Sequence, residues 1–202
     1  MKTKSFDTRK MVTLAMLGAI LLIMSFTPLG YLNIGPLAIS LNMIPVGIAA
    51  VTLGPTGGMI MGAVFGITSF MQCIGIGGTS AMGVILFEIS PVLAFIQRFV
   101  PRLLAGLLSG YIYLGVKKLT NSTAACFVTG FCAALLNTVL FMLALVLLFG
   151  NSDYVLNLMG GRNVLLFICT YVGINAVVEM VAATAAVGLI GRILNKVVTM
   201  RR

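Results

Sequence analysis

Histidine and tryptophan are both missing from the 202 residues, and only four side chains are acidic. Without histidine the chain lacks the most common metal ligand and the usual general base near neutral pH. The four cysteines, Cys73, Cys126, Cys132 and Cys169, form neither a CxxC pair nor a zinc-type spacing, so they read as small buried residues, and neither a metal site nor a disulfide is expected. Of the acids, only Glu179 falls inside one of the expected spans. It has no second carboxylate, histidine or nucleophile within a span, and general acid-base catalysis normally needs such a partner. An intramembrane enzyme built on Glu179 is therefore the weaker alternative. A Walker A pattern is absent too, because no Lys-Ser or Lys-Thr follows the glycine-rich segment 74–80, so the chain is not expected to hydrolyse ATP by a P-loop of its own. No organic cofactor is expected.

Polar residues in general are scarce. Charged residues make up 8% of the chain and hydrophobic ones 60%, with a mean hydropathy of +1.14. Helices of a soluble domain need polar outer faces that this composition cannot supply. The sequence predicts an all-α integral membrane protein, a single transmembrane domain over 1–202, with several apolar runs near the ~20 residues a crossing helix needs. The net charge of +9 does not point to nucleic acid. Most of the basic residues sit at the two ends or in the Lys117-Lys118 loop, where they meet anionic headgroups and orient the chain.

Taken in order, a basic head (1–10) precedes a first span from Met11 to about Pro28. No small-residue cleavage site follows it, so it is expected to be retained, with its N-terminus in the cytoplasm. Ala15 and Ala19, with Gly18 beside them, make a small face, suited either to docking another helix or to packing within the same bundle. Residues 29–41 contain Gly30, Asn33, Gly35, Pro36 and Ser40 and read as an ordered outer loop. A short second span (42–53), a tight turn at Gly54-Pro55-Thr56-Gly57-Gly58, and a third span (57–73) follow. The third span carries Gly58, Gly62 and Gly66 at four-residue spacing, a bare face for close helix packing.

Residues 74–90 are assigned to the outer side. The fourth span begins either at Pro91, capped by Ser90, or at Phe99. It carries Arg98 and Arg102 one turn apart, with Pro101 between them. A fifth span (124–149) holds Asn137, an outer loop covers 150–163, and a sixth span (164–194) holds Tyr171, Asn175 and Glu179 at four-residue steps. With six crossings the cytoplasm receives ten basic residues (Lys2, Lys4, Arg9, Lys10, Lys117, Lys118, Arg192, Lys196, Arg201, Arg202) against Arg98, Arg102 and Arg162 outside. A seventh crossing would nearly level the count, so the positive-inside bias selects six transmembrane helices with both termini cytoplasmic.

Arginine at bilayer depth is costly and usually faces a cavity or a partner, and its fork fits a carboxylate. Asn137 and Asn175 both lie roughly 18–20 Å from the outer ends of their helices at ~1.5 Å per residue. Arg102 reaches that depth if its helix starts at Pro91. The candidate pocket is Arg102, Asn137, Asn175 and Glu179, flanked by Arg98 and Tyr171. Interhelical hydrogen bonding without a ligand, worth about 0.6–2 kcal/mol per contact, is the alternative.

Several motifs in order resemble one family, the substrate-binding S-components of energy-coupling-factor (ECF) vitamin transporters. They are Ala15-xxx-Ala19, Gly54-Pro55-x-x-Gly58 and Asn175-xxx-Glu179. Thr27-Pro-Leu-Gly30 with Ile34-Gly-Pro36, Asn42-x-Ile-Pro45, Val100-Pro-Arg-Leu-Leu-Ala-Gly106 and Leu136-Asn-Thr-Val139 resemble the pantothenate-type members. Met43 stands where that type often carries histidine, and a chain without tryptophan looks less like the biotin or thiamin carriers. The resemblance implies a six-helix S-component-like bundle in the plasma membrane of a prokaryote, without enzymatic activity. It would capture a vitamin, pantothenate or another small polar or anionic one, and dock through Ala15 and Ala19 on a membrane scaffold (T) subunit driven by two cytoplasmic ATPase subunits. A self-sufficient small transporter is the remaining alternative, for which no inverted repeat or pair of broken helices is evident.

Overall fold

The computed structural model describes residues 8–27, 30–33, 38–78, 80–159 and 164–200. In chain order these form α1 (Thr8–Phe26), strands β1 (Tyr31–Asn33) and β2 (Ala38–Ser40), α2 (Met43–Met71), a 3-10 turn (Gln72–Ile74), α3 (Ala81–Ile89), α4 (Pro91–Leu119), α5 (Ser122–Phe149), α6 (Asp153–Met159) and α7 (Val164–Met200). Among the described residues five helical segments are long and apolar enough to cross a bilayer: Thr8–Phe26, Met43–Ile74, Pro91–Leu119, Ser122–Phe149 and Ala176–Leu194. Large apolar side chains such as Val92, Leu147, Val181, Leu189 and Ile193 are each more than half exposed on their outer faces. Lipid replaces water as their solvent, which accounts for the high hydropathy.

The expected second and third spans are one stretch of helix broken at Gly54, whose φ of 77° and ψ of −162° lie where essentially only glycine is at ease. The chain folds back there. A Cβ on Gly58 would lie 3.1 Å from that of Ala50, whereas residues eight apart on a straight helix are separated by ~12 Å. The second arm then runs antiparallel to α4 with its glycines as the contact face. A side chain on Gly58 would strike the Gly106 carbonyl, and one on Gly62 the carbonyl of Arg102. One on Gly66 would come within 2.9 Å of the Phe99 Cα. The four-residue spacing of these glycines sets how closely α4 approaches, because helices within a membrane associate through van der Waals packing rather than a hydrophobic driving force.

Of the two starts considered for the fourth span, α4 takes the earlier. Ser90 accepts a hydrogen bond from the Leu93 amide and Pro91 opens the helix, which continues through Pro101. The segments assigned from sequence to the outer side are more structured than expected. Residues 31–40 contain an antiparallel hairpin pairing Tyr31 with Ser40. Residues 81–89 form α3, about 13 Å long at ~1.5 Å per residue and so too short to cross, and 153–159 form α6.

Two buried apolar clusters form the core. One gathers Leu17, Leu21, Met43, Val46, Met61, Phe65, Ala105, Tyr113, Ala133 and Val187. The other gathers Leu86, Ala94, Met142, Leu145, Phe149 and Val155. Phe65 belongs to the first and Phe141 packs against the second; Arg102 lies over both rings and Arg98 over Phe141.

Candidate functional site

Arg98 and Arg102 occupy successive turns of the inward face of α4, with Ala94, Gln97, Pro101 and Ala105, and are only 6% and 4% exposed. The i, i+4 spacing aligns both guanidiniums on one aromatic ring from α5. The Arg102 Cζ lies 4.9 Å from the centroid of Phe141 and 4.7 Å from that of Phe65, and the Arg98 Cζ lies 5.3 Å from Phe141. Ring faces stabilise desolvated cations, by ~2 kcal/mol or more in dry surroundings. Arg102 also donates from Nη1 to the Arg98 carbonyl at 2.7 Å. Arg98 reaches outward, donating from Nη2 to the Ser80 hydroxyl at 3.2 Å.

Glu179 is buried on α7. Its Oε1 accepts from the Ser40 amide at 2.5 Å, which ties the last residue of β2 to α7, and it lies within electrostatic reach of Arg102. One carboxylate thus joins the hairpin to α7 within the field of the arginine on α4. Glu179→Ala is expected to speed exchange of the Ser40 amide proton at least ~10-fold, whereas Glu179→Gln, which keeps an acceptor oxygen, should stay within ~3-fold of the parent. Unchanged exchange in the alanine variant would mean that the carboxylate does not hold the hairpin.

Asn137 is 7% exposed, and its Oδ1 has no hydrogen-bond partner among the described residues. It lies one turn below Phe141 on α5, on the same helical face. The structure therefore brings Arg98, Arg102 and Glu179 into one connected region, with Asn137 a turn away. Tyr171 and Asn175 fall within the helical span of α7, but their side chains lie outside the described residues. Ala15 and Ala19 are on the exposed face of α1, away from the packed Leu17, Leu21 and Ser25, and a Cβ at Gly18 would meet nothing within 4 Å.

Sequence reading missed the rings of Phe65 and Phe141 over the arginines, and the burial of Gln97 and Asn42. An aromatic in an apolar span looks like any core residue, so nothing marked Phe65 and Phe141 as cation partners. Gln97 and Asn42 are both 0% exposed, and neither side-chain amide has a partner among the described residues. A buried amide in an apolar helix is costly unless bonded, and that cost was the available signal, overlooked beside the arginines. Cys73 and Cys126 are buried, their thiols donating to the carbonyls of Ser69 and Ser122.

Over residues 9–200 the chain matches the family described as ECF transporter, substrate-specific component. Among solved structures it is similar to ThiT from Listeria monocytogenes, with a TM-score of 0.65 and 18% identity over 94% of this chain and 98% of that one. At that identity the likeness is one of fold. No curated protein matches the chain by sequence.

Proposed function

We propose, because this chain belongs to the substrate-specific components of ECF transporters, that it captures a small vitamin bearing a carboxylate, pantothenate, from outside the cell. As a member of that family it is a multi-pass membrane protein that binds a transport substrate, and it is not an enzyme. The observation that carries the choice of ligand is the balance of charge. Among the described residues two buried arginines share one region with one buried carboxylate, Glu179, and a cation at such depth calls for an anionic partner. Pantothenate supplies one carboxylate, and its amide and hydroxyls suit the buried amides of Asn137, Gln97 and Asn42. Arg102, Asn137, Asn175, Glu179, Arg98 and Tyr171 make up the proposed pocket. The motifs shared with pantothenate-type members favour the same vitamin.

On this reading the whole chain is one transmembrane domain in the plasma membrane of a prokaryote. It crosses six times with both termini in the cytoplasm, and the return of the chain at Gly54 supports counting 43–74 as two passes. Ala15 and Ala19 face the T subunit, and two ATPase subunits drive delivery. Mass spectrometry of the small molecule that co-purifies in detergent tests the ligand. Pantothenate is expected; a different carboxylate vitamin would replace the ligand but keep the pocket, and a molecule with no anionic group would overturn both. Cysteines introduced at Lys118 and Asp153 should label from opposite sides of the membrane, and labelling from one side would sink the six-span topology.

A further inference from the structure

The two arginines are not equivalent. Arg102 lies within reach of Glu179, donates to a backbone carbonyl and is covered by two rings. Among the described residues Arg98 has no carboxylate beside it. Among the described residues its contacts are the face of Phe141 and the Ser80 hydroxyl, and its buried Nε has no acceptor. Ser80 is the N-cap of α3, accepting from the Gly83 amide at 3.3 Å. The Arg98 guanidinium is therefore directed at the start of a nine-residue helix, where the backbone itself carries roughly half a positive charge.

Two like charges have been brought together, and the local chemistry is that of an anion seat. The Ser80 oxygen accepts from both Arg98 Nη2 and the Gly83 amide, so its own proton is free to donate. The Val84 amide is taken by the Ser80 carbonyl, which leaves the amides of Ala81 and Met82 as first-turn donors without an acceptor in the helix. Gly83 makes the approach possible. A Cβ there would lie 3.0 Å from Arg98 Nη2 and 2.8 Å from Cys73 Sγ. Ala81 is exposed, so the first turn of α3 is open to a ligand.

We infer that the anionic group of the ligand binds at the N-terminus of α3, held by Arg98, the Ser80 hydroxyl and the Ala81 and Met82 amides, while Arg102 remains with Glu179. This rests on the proposed capture of a carboxylate vitamin and assigns the carboxylate its place. The bidentate fork, the helix terminus and the hydroxyl together favour a carboxylate over a neutral group of the same shape.

The test compares pantothenate with panthenol, in which a hydroxymethyl group replaces the carboxylate, by calorimetric titration of the purified full chain. The parent should prefer pantothenate by ~100-fold or more. Arg98→Gln should bring that preference to within ~3-fold by weakening pantothenate alone, whereas Arg102→Lys should weaken both ligands and keep the preference. Melting temperatures are read in parallel, and Ser80→Ala, which keeps both arginines, provides a second variant expected to lower the preference ~3- to 10-fold. An undiminished preference in Arg98→Gln or in Ser80→Ala overturns the seat. If the parent binds neither compound, the pantothenate reading fails, and the seat is judged on the molecule that co-purifies. An anion retained by the parent and lost from Ser80→Ala upholds the seat; a molecule without an anionic group overturns it.

Discussion

Tryptophan in place of Ala15 or Ala19 is expected to abolish vitamin uptake by cells while leaving ligand affinity within ~2-fold of the parent. The argument starts from the two faces of α1. Leu17, Leu21 and Ser25 are buried against α2, where Ser25 meets the Thr68 hydroxyl at 3.2 Å and its carbonyl accepts from Gln72 at 2.8 Å. Ala15 and Ala19 lie on the exposed face, so an indole there has no neighbour in this chain to overpack. Small residues facing a bilayer let a second helix come close enough for van der Waals contact, and a bulky ring would hold it off. The pocket residues on α4, α5 and α7 are left untouched. If the alanines packed inside the bundle, the same substitutions would cost about 1–3 kcal/mol of stability instead. A lowered melting temperature with the T and ATPase subunits still attached would end the docking reading.

Arg102→Ala should lower affinity for the vitamin at least tenfold, about 1.4 kcal/mol, and lower the melting temperature as well. The guanidinium lies over the rings of Phe65 and Phe141 and within electrostatic reach of Glu179, so its removal strips packing from both rings and takes a cation from the field of a buried carboxyl. Arg102→Lys should recover part of the stability but not the affinity, because an ammonium cannot spread over two rings or reproduce the fork. Double replacement of Arg102 and Glu179 by methionine and glutamine should be better tolerated than Arg102→Ala alone, since it removes both charges and keeps the acceptor for Ser40. Equal loss in the single and double variants would argue against the electrostatic link.

Features of the sequence that depend on local spacing were readable. The strict repeat Gly58, Gly62, Gly66 marked a bare helix face, and the structure places α4 on it. The spacing of Arg98 and Arg102 puts both on one face, while the same stretch allows a helix start at Pro91 or at Phe99, and the structure takes Pro91. What depends on contacts between distant segments was not readable. The hairpin at 31–40 is held partly by a carboxylate 139 residues away, and no local pattern encodes that. Helix α3 was hidden because residues 81–97 continue an apolar run into α4, and only the extended backbone at Ser90 separates the two. Phe141 gained its role from facing two charges on another helix, which no spacing within α5 could reveal.

The central claim, that this chain alone captures a carboxylate vitamin, is tested most directly by equilibrium binding of labelled pantothenate to the purified protein without ATPase subunits or nucleotide. Saturable binding of one molecule per chain, displaced by unlabelled pantothenate and not by the same concentration of panthenol, is the predicted result. Absence of saturable binding, or equal displacement by the uncharged alcohol, would contradict the account.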